Sequence, residues 1–373
     1  MKVQFPAMKG MMGQRIYYAC LMNLSSIPKM FTFQDWIEFR PEDREQRVLN
    51  RKRIPEISRY ITENEDGYLF SSITASYQCE VKFKPVNGED SLGMLEMDFE
   101  KANFVINDGQ HRCAAIAQAI DQNPALGDES ISVLLFPYEN RERVQQMFSD
   151  LNRFVAKTSK SLDILYDKRD PLSTVTLDVC EKVDAFQGMV EKDSVSLPVR
   201  SSKLFTLASL YDANKELLGD VRDDEATIQS MVVEAVTYWN EVSKHVPLWM
   251  KVKKGDIRAI EFRQENISAH SVVMRALGAV GGDLLKEHPQ DWQDWLNALD
   301  RIDWSKKNRD WENVCIVANS VVSNRQARNA TRAYLKFKLG LTLTDAESKS
   351  IAHSAATEAA AEAAWAESER RPA

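Results

Sequence analysis

Residues 103–120 read Asn103-Phe-Val-Ile-Asn-Asp-Gly-Gln-His-Arg-Cys-Ala-Ala-Ile-Ala-Gln-Ala-Ile120. Phe104-Val105-Ile106 predicts a short buried strand, Asp108-Gly109 a tight turn, and the Ala-rich run from Cys113 to Ile120 a helix. A strand that turns directly into a helix exposes the first helical N–H groups, which lack intrahelical partners. The helix dipole adds roughly half a positive charge at that end. With His111 and Arg112 beside it, the turn has the character of an anion site, and phosphate is the common anion that suits it. Arg112 could grip two oxygens with its planar fork. Asp108 could cap the helix, hold Arg112 or His111, or ligate a nucleotide-bound metal. The plainer alternative is an Asp-Gly turn in which Asp108 only caps and His111 and Arg112 only pack.

Outward from this run, the first 170 residues mix strand and helix signals. Arg15–Met22, Tyr68–Tyr77, Glu80–Phe83, Leu92–Phe99 and Ile131–Phe136 read as strands. Asp43–Glu63, interrupted by Pro55, and Glu142–Val155 read as helices. Beyond about residue 170 helical periodicity dominates, with candidates at Thr174–Phe186, Leu204–Leu210, Glu225–Val242, Ile267–Gly278, Gln290–Leu299 and Val314–Leu339. The fold class is therefore α+β: a mixed-sheet domain over 1–170, an all-helical domain over 171–345, and an Ala/Glu-rich tail over 346–373.

The chain has 373 residues, 44% of them apolar, enough for real cores in two units. Lys plus Arg number 48 against 55 Asp plus Glu, a net charge of -7, which excludes a globally basic nucleic-acid binder but not a local basic face. Five scattered cysteines without C-x-x-C spacing argue against a zinc site or a disulfide framework and fit a reducing cytoplasm. No metal site and no membrane span are expected. Cys113 next to Arg112 is a conceivable reactive thiol, though a small Cys in an Ala-rich helix is more simply a packing residue.

Positive charge concentrates in a few places. Ser320–Lys338 holds Arg325, Arg328, Arg332, Lys336 and Lys338 and no acidic residue. On a helix, Arg325, Arg328, Arg332 and Lys336 fall in one stripe opposite Ala327, Ala330, Tyr334 and Phe337, so this is the expected DNA-facing helix, with Asn324 and Asn329 near enough for base edges. A solvated surface helix is the alternative. Other basic clusters are Lys251–Lys254 with Arg258 and Arg263, Arg51–Arg53 with Arg47, and Lys157, Lys160, Lys168 and Arg169.

Asp108-Gly-Gln-His-Arg112 is the signature of the DGQHR-domain proteins, and the chain resembles them in two further blocks, Met147-Phe-Ser-Asp-Leu-Asn-Arg153 and Arg51-Lys-Arg-Ile-Pro-Glu-Ile-Ser-Arg-Tyr60. Within that group it is most similar to the DndB family of the Dnd DNA phosphorothioation cluster, which its Gly13-Gln-Arg-Ile-Tyr-Tyr18 run and helical second half also fit. The resemblance implies a ParB/sulfiredoxin-like first domain, and a phosphate or nucleotide site formed by Asp108, Gly109, Gln110, His111 and Arg112. It further implies a repressor that binds the double-stranded promoter DNA of the modification operon, with other Dnd proteins as further partners. A homo-oligomer is expected, since operators tend to be two-fold symmetric. The alternative is a nucleotide-binding or nucleotide-hydrolysing enzyme, with or without nuclease activity, with a nucleoside triphosphate as its cofactor and Asp150 and Asn152 as extra polar groups near the turn. Where ParB-type nucleotide binders carry adjacent arginines, this chain has His111-Arg112, which argues against hydrolysis.

Overall fold

The computed structural model describes residues 2–31, 49–153, 158–221 and 224–352. The chain divides into two compact units, Met1–Ala156 and Lys157–Ala373. The expected N-cap Asp43, the basic residues Arg47 and Lys157, the end of the helix at Val155, and the tail from His353 onward lie outside the described residues.

The first unit is built on a seven-stranded mixed sheet. Its strands are β1 (Lys2–Met12), β2 (Arg15–Asn23), β3 (Ile73–Gln78), β4 (Val81–Val86), β5 (Glu89–Asp98), β6 (Asn103–Asp108) and β7 (Ser130–Pro137). They lie in the order β4-β5-β1-β2-β7-β3-β6. Every neighbouring pair is antiparallel except β3–β7. The helices are α1 (Ile27–Met30), α2 (Ile54–Thr62), α3 (Gln110–Gln122) and α4 (Arg141–Arg153). Alternation along the strands sends Phe5 and Ala7, Leu95 and Met97, and Val133 and Leu135 into a core with Ile61 and Ile116.

β1 is the element that periodicity missed: its apolar residues sit among Lys, Gln, Pro and Gly, and only pairing with β2 and β5 reveals their alternation. Tyr68–Phe70, expected in a strand, precedes β3, because the Tyr68 N–H donates to the Asn64 carbonyl at 2.8 Å and the Leu69 N–H to the Tyr60 hydroxyl at 3.0 Å instead of entering the ladder. Pro55 does not kink a helix. It sits in the first turn of α2, where no N–H is needed, after a 3₁₀ turn over Arg51–Arg53 capped by Asn50.

The second unit is mostly helical: α5 (Lys160–Tyr166), α6 (Pro171–Lys182), α7 (Leu207–Leu218), α8 (Glu225–His245), α9 (Leu248–Lys254), α10 (Ala259–Glu265), α11 (Ser271–Glu287), α12 (Trp292–Leu296), α13 (Arg325–Leu339) and α14 (Asp345–Ile351). The expectation of an all-helical domain needs correction. Val190–Glu191 (β8) pairs in parallel with Phe205–Thr206 (β9), and Ile316–Val317 (β10) with Ser320–Val321 (β11) in a tight hairpin. That hairpin turns on Ala318 and Asn319 at positive φ, which is why α13 starts at Arg325 and not near Val314. Trp239, Trp249, Trp311, Tyr238 and Tyr334 fill its core.

Candidate functional site

The site lies at the C-terminal end of β6, an edge strand of the sheet. Thr74 of β3 pairs with Asp108, but Ala75 pairs with Ile106, so Asn107 is the extra residue of a β-bulge. A bulge at a strand end re-aims the side chain it carries. Asn107 is 2% exposed. Its Oδ1 accepts from the Ser76 hydroxyl at 3.0 Å, and its Nδ2 has no partner among the described residues.

Gly109 follows at φ 105° and is the N-cap of α3. A Cβ there would meet the Arg112 guanidinium and Ile73 Cγ1, each at 3.2 Å. The positive φ favours glycine, and a methyl there would need the guanidinium or Ile73 to give by a few tenths of an ångström.

The Arg112 fork is directed into the protein, which corrects the expectation that it grips a phosphate. Nη1 donates to the Ser71 carbonyl at 2.5 Å, the Ser71 hydroxyl and the Ser72 carbonyl at 3.2 Å, while Nη2 pairs with Asp108. Its side chain is 14% exposed. Asp108 pairs with Arg112, four residues further along the chain. His111 Nε2 accepts from the Asn50 backbone N–H at 3.0 Å. Cys113 is fully buried, and burial pushes its thiol up to about 12, so it packs rather than reacts.

These residues open onto a cavity of about 530 Å³. All of 108–112 line it, with Asn107. So do Arg53, Glu56, Ile57 and Tyr60 from the second family-like block and its helix α2, and Phe148 and Asn152 from α4. Phe70 completes an apolar side, its ring 5.8 Å from Tyr60. Three separate sequence blocks thus meet in one place. Arg53 is exposed at this cavity. Asp150 does not line it and accepts from Gln146 at 2.7 Å. Sequence reasoning missed Asn107, Tyr60 and Phe70. The one available signal was the polar Asn107 ending the apolar run 104–106.

In the second unit, α13 carries its four cations differently from expectation. Arg325 is exposed and Arg328 half-buried. Arg332 donates to Asp283 of α11 at 2.7 and 2.8 Å. Lys336 is buried and pairs with Glu347 of α14 at 3.1 Å. The stripe has no acidic residue of its own helix, but neighbouring helices supply two. Asn324 caps α13, accepting from Ala327 N–H at 2.9 Å. Of the other clusters, Lys160 pairs with Asp212, Arg258 with Glu261, and Arg263 binds loop carbonyls.

The first unit is thus a mixed α+β domain with a cavity at a strand–glycine–helix turn. The chain belongs to the DndB family, DNA-sulfur modification-associated, which matches residues 5–342. It is thereby associated with DNA sulfur modification. No curated protein and no solved structure matches it. Among the described residues no helix is long and apolar enough to cross a membrane, and no group of three His, Cys, Asp or Glu could hold a metal.

Proposed function

We propose that the protein is a DNA-binding regulator of a DNA phosphorothioation operon, acting as a repressor on promoter DNA in the cytoplasm, and that the cavity at 108–112 binds phosphate. The observation that carries the phosphate site is the convergence of the three family-like blocks on one cavity, next to the N-terminus of a 13-residue helix and the exposed Arg53. Asp108 and Arg112 act as the frame of the site. Binding falls to the α3 N-terminus, Arg53 and the Asn107 amide. For duplex DNA the available cations of α13 are Arg325 and Arg328, since Arg332 and Lys336 are engaged within the protein. A homodimer would match a two-fold operator.

Gel shifts with DNA from upstream of the operon test this. Arg325→Glu with Arg328→Glu is expected to weaken binding at least tenfold while the fold survives. Wild-type protein that binds no upstream fragment removes the repressor reading, and unchanged binding by the double variant removes α13 from it.

A second reading, a nucleoside triphosphate in the same cavity, is supported by its size and by the rings of Tyr60, Phe70 and Phe148. Thermal shifts with ATP, CTP and GTP, combined with phosphate release, separate binding from hydrolysis. Absence of any shift sinks this reading.

A further inference from the structure

The second unit holds a separate cavity of about 320 Å³, lined by Ser196, Arg263, Asn266, His270 and Ser271 among others. Its electrostatics are unusual. Arg263 is partly buried and donates to the carbonyls of Pro198 at 3.2 Å, Val199 at 2.8 Å, Ser201 at 2.7 Å and Lys203. These carbonyls satisfy its donors and leave its net charge uncancelled. Lys306 is also partly buried, and its Nζ donates to the Arg263 carbonyl at 2.7 Å. Among the described residues neither cation has a carboxylate within ion-pair distance, and burial alone holds both below their ordinary pKa.

Two cations partly withdrawn from water without a carboxylate partner favour an anion beside them. The fold adds to the same sign. The 17-residue helix α11 begins at this cavity, has no acidic residue in its first turn, and receives no side-chain cap from His270. His270 also lines the cavity, and its buried Nε2 has no partner among the described residues. Asn266 is buried, and its Oδ1 is taken by the Ser268 N–H and hydroxyl at 2.8 and 2.7 Å. Its Nδ2 is what remains to offer a ligand.

We infer that this cavity is a second anion site, independent of the first unit, which takes the phosphoryl group of a small molecule. Arg263 and Lys306 supply the field, and Asn266 and the first turn of α11 supply donors. A concave pocket of this volume suits a small phosphorylated ligand, whereas duplex phosphates stand on a convex ridge. A regulator with such a site would answer to a metabolite.

The test uses the full chain carrying Arg53→Glu, which disables the first-unit cavity, titrated calorimetrically with inorganic phosphate and pyrophosphate at low ionic strength. Binding is expected to persist in that background, to weaken about tenfold in Lys306→Met, and to vanish in Asn266→Asp, which keeps the Ser268 hydrogen bonds but places a negative charge on the wall. Melting temperature confirms that each variant is folded. Should Asn266→Asp fail to fold, Lys306→Met alone decides. Absence of binding by both anions, or wild-type affinity in folded Lys306→Met, overturns the assignment. Displacement of the anion by duplex DNA lacking terminal phosphates overturns the small-molecule source.

Discussion

Asp108 and Arg112 form an ion pair one helical turn apart, closed over Gly109, and the same guanidinium pins the Ser71-Ser72 backbone that leads into β3. The pair therefore fastens an edge strand, the helix after it and the approach to a neighbouring strand into one assembly. Arg112→Ala is expected to destabilise the first unit by about 2–3 kcal/mol, because it leaves two carbonyls and a carboxylate without their charged donor. Arg112→Lys recovers only part, since one ammonium cannot span both directions. Thermal denaturation checks this; an unchanged melting temperature in Arg112→Ala would mean that the pin carries nothing.

Gly109→Ala is expected to cost about 1–3 kcal/mol, from a positive φ and from the Arg112 and Ile73 atoms its methyl would strike. Gly188→Ala, also at positive φ but with open space around it, should cost less. Equal losses in parallel denaturant melts would reduce the effect to backbone strain alone.

Stability should depend on pH through His270. Burial, then Lys306, lowers its pKa to about 4, against 6.5 when unfolded. The unfolded chain takes up a proton first as the pH falls, so the contribution is intact above 6.5 and is lost progressively toward pH 4. His270→Gln should flatten melting temperature against pH over this window. A slope that survives the substitution places its source elsewhere.

On α14, burial would raise the Glu347 carboxyl, but hydrogen bonds from Thr344 and Lys336 hold it below its ordinary value. Its contribution is present above the unfolded carboxylate pKa and fades as the pH falls through the lower folded value. Lys336→Met should weaken α13–α14 packing by about 1 kcal/mol, because it removes the nearer of two cations on the half-buried Glu347 and leaves Arg332 at 3.9 Å. The double variant Lys336→Met with Glu347→Leu should recover most of that loss, and a failure to recover would show that the pair is not the coupling element.

Much of this site was legible because its parts are local. Asp108-Gly109 after Phe104–Ile106 dictates a turn, and the alanines that follow dictate a helix, so the strand–turn–helix unit needed no tertiary information. The direction of the Arg112 fork did not follow from sequence, because Ser71 lies 41 residues away and meets it only through the β3–β6 pairing. The α13 stripe failed for the same reason. Its spacing is a property of one helix, while its neutralisation comes from Asp283 and Glu347 on two others. Asn107 was invisible since a bulge is a mismatch between two strands, and neither strand alone records it.

The lone parallel pairing in the sheet has a consequence for biogenesis. β7 separates β2 from β3, yet it is translated after the 108–112 turn. The emerging chain can therefore complete the β1–β2 hairpin and even the turn itself, but among the described residues no strand pairing joins one to the other until residues 130–137 leave the ribosome. A nascent fragment ending at residue 125 would carry the whole signature motif and still lack the strand that joins it to the rest of the sheet.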